Sequence, residues 1–183
     1  IIVDESFLDF VNEDERYTIL EDRIIDENPH LIIIKSISKS YGVPGLRLGV
    51  LVTSNNQWLC KFKHSCSIWN INSFGEYFLQ IYGKYRSEYK IACDNISVER
   101  ERFYNELNSI SFLQAYKSGA NYLLCRITND MSARLLSVKL VEKNILIKDL
   151  TGKVGIPGDK YLRLAVRDKH DNDIVLSELK RFK

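Results

Sequence analysis

Three short apolar runs set the terms on which this chain can fold. "IIVDES", "HLIIIKSIS" and "LRLGVLVTS" join aliphatic, largely β-branched residues with little polar alternation, and each passes straight into Asp, Ser or Thr. Continuous apolarity suits strands covered on both faces, as in an α/β sheet. Ligands of such sheets gather at the carboxyl ends of the strands. The residues that directly follow the runs are therefore the first candidates for chemistry.

The remaining texture is globular. "WNINSFGEYFLQIYGKY" predicts a helix opened by a capping box of Ser73 and Glu76. Phe74, Phe78, Ile81 and Tyr85 follow at helical spacing. Helix continues through "CDNISVERERFYNELNSI", with Ile96, Phe103, Leu107 and Ile110 on one stripe. From about residue 111, "SFLQAY", "ANYLLCRI", "NILIKDL" and "YLRLAV" read as strands, and "MSARLLSVKLVEK" and "HDNDIVLSELKRF" as helices. Strands alternating with helices predict a small α/β or α+β unit. The expected division is 1–100 for the end of a larger α/β domain and its connecting helix, and 101–183 for a smaller C-terminal domain.

Composition narrows the function classes. With 183 residues, the chain suits one domain, or one domain and part of another. A formal charge of +2 gives no electrostatic case for nucleic acid, and no apolar run reaches the roughly 20 residues of a membrane helix. Cys60, Cys66, Cys93 and Cys125 lack CxxC spacing, which suits reduced thiols and a cytoplasmic setting. His30, His64 and His170 have no metal-ligand spacing. "ERER" reads as a solvated helix face, and Trp58 and Trp69 as packing, with Trp69 a candidate for the edge of a site. The sole methionine is Met131 and the chain opens on "IIVD", so the expectation is the C-terminal part of something longer.

"SISKSYGVPGLRLGV" carries the densest chemistry. Lys39 follows the strand "LIIIKSIS" at the edge where ligands bind, and a lysine partly desolvated there presents a neutral amine for Schiff-base formation. Arg47 stands among Leu46, Leu48 and Val50, and a buried guanidinium demands a carboxylate or phosphate partner. Ser36 and Ser38 add hydroxyls, and Gly42, Gly45 and Gly49 permit close backbone approach. Together they suit an aldehyde-bearing phosphate ester. Asp4 ends the first strand and points to the same sheet edge, or caps a turn there. "IIVDE" also fits a Walker B strand, a reading that requires a GxxxxGK[ST] loop this chain lacks.

"VDESFLDF", then "SISKSYGVPGLRLG", "WNIN", "SGANYLLCRI" and "YLRLAV", in that order, resemble the fold-type-I pyridoxal-phosphate enzymes. More closely, the chain is similar to the histidinol-phosphate aminotransferase and threonine-phosphate decarboxylase branch. The resemblance implies an α/β fold: the end of a large domain with a mainly parallel sheet, plus a smaller α/β C-terminal domain. It implies pyridoxal 5'-phosphate as cofactor, amino-acid and 2-oxo-acid substrates, a homodimer when complete, and no nucleic-acid or membrane partner. Transamination through a Schiff base is the activity expected from it; decarboxylation of a phosphorylated amino acid is the alternative.

By the same resemblance Lys39 forms that Schiff base, and Asp4 pairs with the pyridine nitrogen. Ser36, Ser38 and Arg47 hold the cofactor phosphate. Arg163 binds the substrate α-carboxylate, and Asn121 lies on the substrate side. Arg167 either contacts a substrate phosphate or caps the last helix. Phe7 departs from the tyrosine that many such aminotransferases carry three residues after the aspartate, which leans towards the decarboxylases. Tyr41 is expected in packing.

Overall fold

The three apolar runs become the strands of one sheet in the computed structural model, which describes residues 1–182. The chain divides into two compact units, Ile1–Cys93 and Asp94–Lys183. In the first, β1 (Ile2–Asp4) pairs in parallel with β2 (Ile32–Ser36), with Asp4 opposite Ile34. β3 (Gly49–Val52) pairs antiparallel with β2, so the sheet is mixed rather than mainly parallel. The link between β2 and β3 explains this. It consists of the single-turn α2 (Ile37–Ser40) and a 3-10 turn at Pro44–Leu46, and a parallel return needs a full crossover of a dozen or more residues.

Cover on both faces, expected from the apolar runs, is not what the first unit provides. Ile33 is buried, but Ile2, Ile34, Val50 and Leu51 are exposed. α1 (Asp22–Glu27), α3 (Asn56–Ser65) and α4 (Ser73–Ile81) complete the unit. The cap of α4 is Asn72, one residue earlier than predicted. Its side chain accepts from Gly75 N at 2.9 Å, and Ser73 becomes the first helical residue. Asn72 wins because it does two jobs: its amide also donates to Leu46 O at 3.1 Å, tying the helix start to the loop before β3. Gly75 is buried against that loop, where an added Cβ would lie 3.0 Å from Leu48 Cδ2.

The unit division falls within α5 (Arg86–Asn108). The second unit holds β4 (Leu113–Ala115), β5 (Tyr122–Ile127), β6 (Lys148–Asp149) and β7 (Tyr161–Ala165), in the order β4-β5-β7-β6 and antiparallel throughout. It is therefore α+β rather than α/β. β5 and β7 alternate buried and open residues, so one face packs and the other stays free. The packed face meets α6 (Ala133–Val141), α7 (Lys169–Leu179) and the predicted stripe of α5: Phe103, Leu107, Leu123, Leu136, Leu140, Leu162 and Leu179 are fully buried. "NILIKDL" gives only a two-residue strand. Asn144 turns the chain at φ 61°, Ile145 N bonds back to Leu140 O, and pairing starts at Lys148.

Candidate active site

Two neighbouring strand ends hold the first group of candidates. β1 ends on Asp4, and β2 runs into the helical turn that carries Lys39. Asp4 and Lys39 are both exposed, so the amine is not desolvated by the first unit as the sequence suggested. Hydrogen bonds from the Ser6 hydroxyl and from Ser6 N, at 2.9 Å, hold the Asp4 carboxyl below its ordinary value, helped by the positive charge of Lys39 and opposed by slight burial. Ser6 also accepts from Ser36 N at 3.0 Å, joining the two strand ends. The Lys39 ammonium lies 4.5 Å from the centroid of the Phe7 ring, a cation–π contact.

The phosphate-clamp candidates fall out differently from expectation. Arg47 is exposed and sits before β3 rather than inside an apolar strand, so no burial forces a partner on it. It adopts the left-handed conformation at φ 58°, ψ 40°, and its Nη1 donates to Pro44 O at 3.3 Å. A bulky residue in that region signals local strain of the kind that collects at functional turns. Ser36 stands at the N-cap of α2 without a side-chain cap bond. Ser38 is turned inward: its hydroxyl donates to Leu48 O at 3.1 Å and accepts from Leu48 N at 2.6 Å. Its one proton is committed, so in this arrangement Ser38 latches the loop. Of the three loop glycines, Gly42 needs its positive φ of 66°, and Gly49 lets β3 lie close to β2, a Cβ there falling 3.3 Å from Lys35 O.

Glu5, which completed the Walker-like motif, is buried and spent on the chain. It accepts from Thr18 Oγ1 and Ile19 N, both at 2.8 Å. Trp69 is 89% exposed, far from the packing role read for it. Tyr41 does pack, edge-on to Phe78 and Tyr82 and stacked on Tyr89.

The second unit carries Arg163, Asn121 and Arg167. Arg163 is exposed on β7, its guanidinium 5.2 Å from the Tyr122 ring centre. Asn121 sits just before β5, its carbonyl accepting from Val166 N at 2.9 Å. Arg167 is engaged with Asp171 in the first turn of α7, while Asp168 supplies the cap. Sequence reading missed Lys148. It is paired directly opposite Arg163, so two cations share one sheet face. Among the described residues neither has a carboxylate within ion-pair distance. Like charges directly opposite are destabilising, and an anion between them removes the penalty. The visible signal was a lysine in an apolar run, "NILIKDL", but its neighbour depends on a pairing register that local pattern does not reveal.

Comparison with known proteins gives this geometry its context. The sequence matches the family Aminotransferase class I and II over residues 1–179. It is 33% identical to an L-serine phosphate decarboxylase of Sulfurospirillum multivorans, an alignment that takes in 98% of this chain and 46% of that protein. The fold superposes with a TM-score of 0.87 on the histidinol-phosphate aminotransferase of Clostridium acetobutylicum, at 31% identity, covering 99% of this chain and 53% of that one. The histidinol-phosphate aminotransferase of Sinorhizobium meliloti, solved with pyridoxal-5'-phosphate, shares the fold at a TM-score of 0.83 and 18% identity over 98% of this chain and 47% of that one. The chain thus spans about half the length of each of these three relatives. It belongs to the class I and II aminotransferase family, whose enzymes work with pyridoxal phosphate.

Proposed function

We propose that the complete protein is a pyridoxal-phosphate enzyme acting on a small phosphorylated amino acid, and that it removes the α-carboxylate. The carrying observation is the placing of an aspartate, its carboxyl held low, at the end of one strand beside the turn that carries the Lys39 amine after the adjacent parallel strand. The donor set fits the cofactor: an open amine, a carboxylate held ionised, an exposed guanidinium and the Ser36 hydroxyl. Lys39 would hold the group covalently, Asp4 would keep a proton on its ring nitrogen, and Arg47 with Ser36 would bind its phosphate.

When bound, pyridoxal phosphate supplies an electron-withdrawing ring for the electron pair released at the amino acid's α-carbon. The residues of this chain do the rest. The Lys39 amine would carry a proton to the α-carbon. Arg163 would orient the substrate through its α-carboxylate, with Asn121 on the substrate side. Lys148, beside Arg163, gives a second anionic group such as a phosphate a place on that face. Cover for the exposed apolar strands and a second subunit would come from outside these residues.

Amino-group transfer, the activity first expected from the sequence, remains the second reading, supported by the likeness to the histidinol-phosphate aminotransferase of Clostridium acetobutylicum. Decarboxylation is preferred because Phe7 has no hydroxyl to offer the ring and contacts Lys39 through its face instead, and because of the likeness to the serine phosphate decarboxylase. The test is product analysis with full-length protein, pyridoxal phosphate and O-phospho-L-serine. Carbon dioxide without keto acid supports decarboxylation, and stoichiometric keto acid supports transfer. No turnover, together with no borohydride-trapped adduct on Lys39, refutes both.

A further inference from the structure

Asp9 takes no part in the reaction proposed above, yet two elements of the first unit converge on it. It lies in the 3-10 turn Leu8–Phe10 that follows β1. Its Oδ1 accepts from Lys35 Nζ at 2.6 Å and its Oδ2 from the Tyr89 hydroxyl at 2.6 Å. The side chains of Asp9 and Lys35 are only 12% and 23% exposed. Burial pulls the Asp9 carboxyl upward, but the bonds from Lys35 and Tyr89 outweigh it and hold the group below its ordinary value. Burial and the bond to Asp9 together push the Tyr89 hydroxyl well above its ordinary value, so it stays a donor.

Each partner leads back to Lys39. Lys35 is on β2, the strand that runs into α2. The Tyr89 ring stacks on Tyr41 with centroids 3.8 Å apart and planes 7° from parallel, and Tyr41 is the C-cap residue of α2, whose final turn contains Lys39. Phe7, two residues before Asp9, stands at the start of the Leu8–Phe10 turn and meets the Lys39 ammonium. One carboxylate thus joins the turn bearing the aromatic contact to both ends of the segment bearing the amine.

We propose that Asp9 is a positioning residue: with Lys35 and Tyr89 it locks the turn carrying Phe7 against the turn carrying Lys39, and so sets how that amine is presented for reaction. The inference rests on the reading of Lys39 as the cofactor lysine. The aromatic face covers one side of the amine. Releasing the turn breaks that contact and opens the amine to electrophiles.

The test uses cofactor-free full-length protein and a small amine-directed acylating reagent at one fixed neutral pH. Labelling of Lys39 is read by peptide mass relative to the exposed Lys61 on α3. Asp9→Asn and Phe7→Leu should each raise the Lys39 ratio about two- to fivefold, the factor matching a cation–π contact at an open site. Tyr89→Phe, which keeps the stacked ring, should raise it by less. A purely structural anchor would lower the melting temperature and leave the ratio unchanged, and an unchanged ratio in Asp9→Asn overturns the proposal. Should Asp9→Asn fail to fold, Tyr89→Phe decides alone, an unchanged ratio again refuting it. Failure of the cofactor reading shows separately, as wild-type protein that borohydride and pyridoxal phosphate leave without an adduct on Lys39.

Discussion

Ser38→Ala separates two roles for one hydroxyl, and the structure gives the size of the effect. The Ser38 side chain is buried and bonds twice to Leu48. Removing it does little to Leu48 O, which still accepts from Ile37 N and Ser38 N, each at 3.2 Å. Leu48 N fares worse, because the lost oxygen at 2.6 Å is its acceptor and Leu48 is buried. An orphaned buried donor costs about 1–3 kcal/mol, so roughly 2 kcal/mol of stability should disappear. Urea unfolding of cofactor-free full-length protein measures it, as a lowered midpoint at unchanged slope. A phosphate ligand would behave in the opposite way: cofactor-free stability would hold while affinity for pyridoxal phosphate fell by an order of magnitude or more, as befits loss of a bond to a charged group. That second outcome would refute the latch.

Other substitutions test neighbouring inferences. Gly75→Ala sets a methyl 3.0 Å from Leu48 Cδ2 and 3.2 Å from Ile71 Cγ2; overpacking of about 2 kcal/mol less a helix-propensity gain of about 1 leaves a net loss near 1 kcal/mol, readable by the same unfolding assay. Lys148→Met should weaken binding of a phosphorylated amino acid roughly tenfold or more and leave the unphosphorylated amino acid unaffected; equal loss for both would remove Lys148 from the phosphate's place. Glu99 is held below its ordinary 4.5 chiefly by hydrogen bonds from Arg102 and, after the opposing pull of burial, from Asn172. A depressed carboxylate adds stability that is present above its unfolded value and lost as pH falls through the folded one. Glu99→Gln should therefore lower stability at neutral pH and flatten the decline below about pH 4.5, seen as urea midpoints across pH.

What the sequence made legible was placement that depends on neighbours along the chain. Asp4, Lys39 and the strand ends that bear them follow from apolar runs broken by polar residues, and a strand end needs no distant partner to be recognised. The stripe of Phe103, Leu107 and Ile110 was equally plain, because a helix repeats its own period. Arg47 was misplaced because the apolar letters around it look like a strand, whereas the chain first makes a left-handed turn there. Lys148 and Asp9 escaped for a shared reason. Their partners are set by strand register and by a contact across 80 positions to Tyr89, and neither leaves a local pattern.

The two units also differ in what holds them. The second closes on a continuous apolar core drawn from α5, α6, α7 and one sheet face. In the first, the buried apolar residues among those described are few: Phe10, Leu31, Ile33, Leu48 and Cys93. Its strand ends are joined instead by polar latches, namely Glu5 on Thr18 and Ile19, Ser6 on Ser36, Ser38 on Leu48, and Asp9 on Lys35 and Tyr89. Apolar contacts tolerate sliding because they have no preferred direction, whereas hydrogen bonds weaken steeply with angle and distance. A site whose amine and carboxylate must keep a set separation gains more from the second kind. Conservative changes at Ser6, Asp9 or Ser38 should for that reason disturb the geometry around Lys39 more than a methylene removed from Leu31 or Ile33, even where the loss of stability is equal.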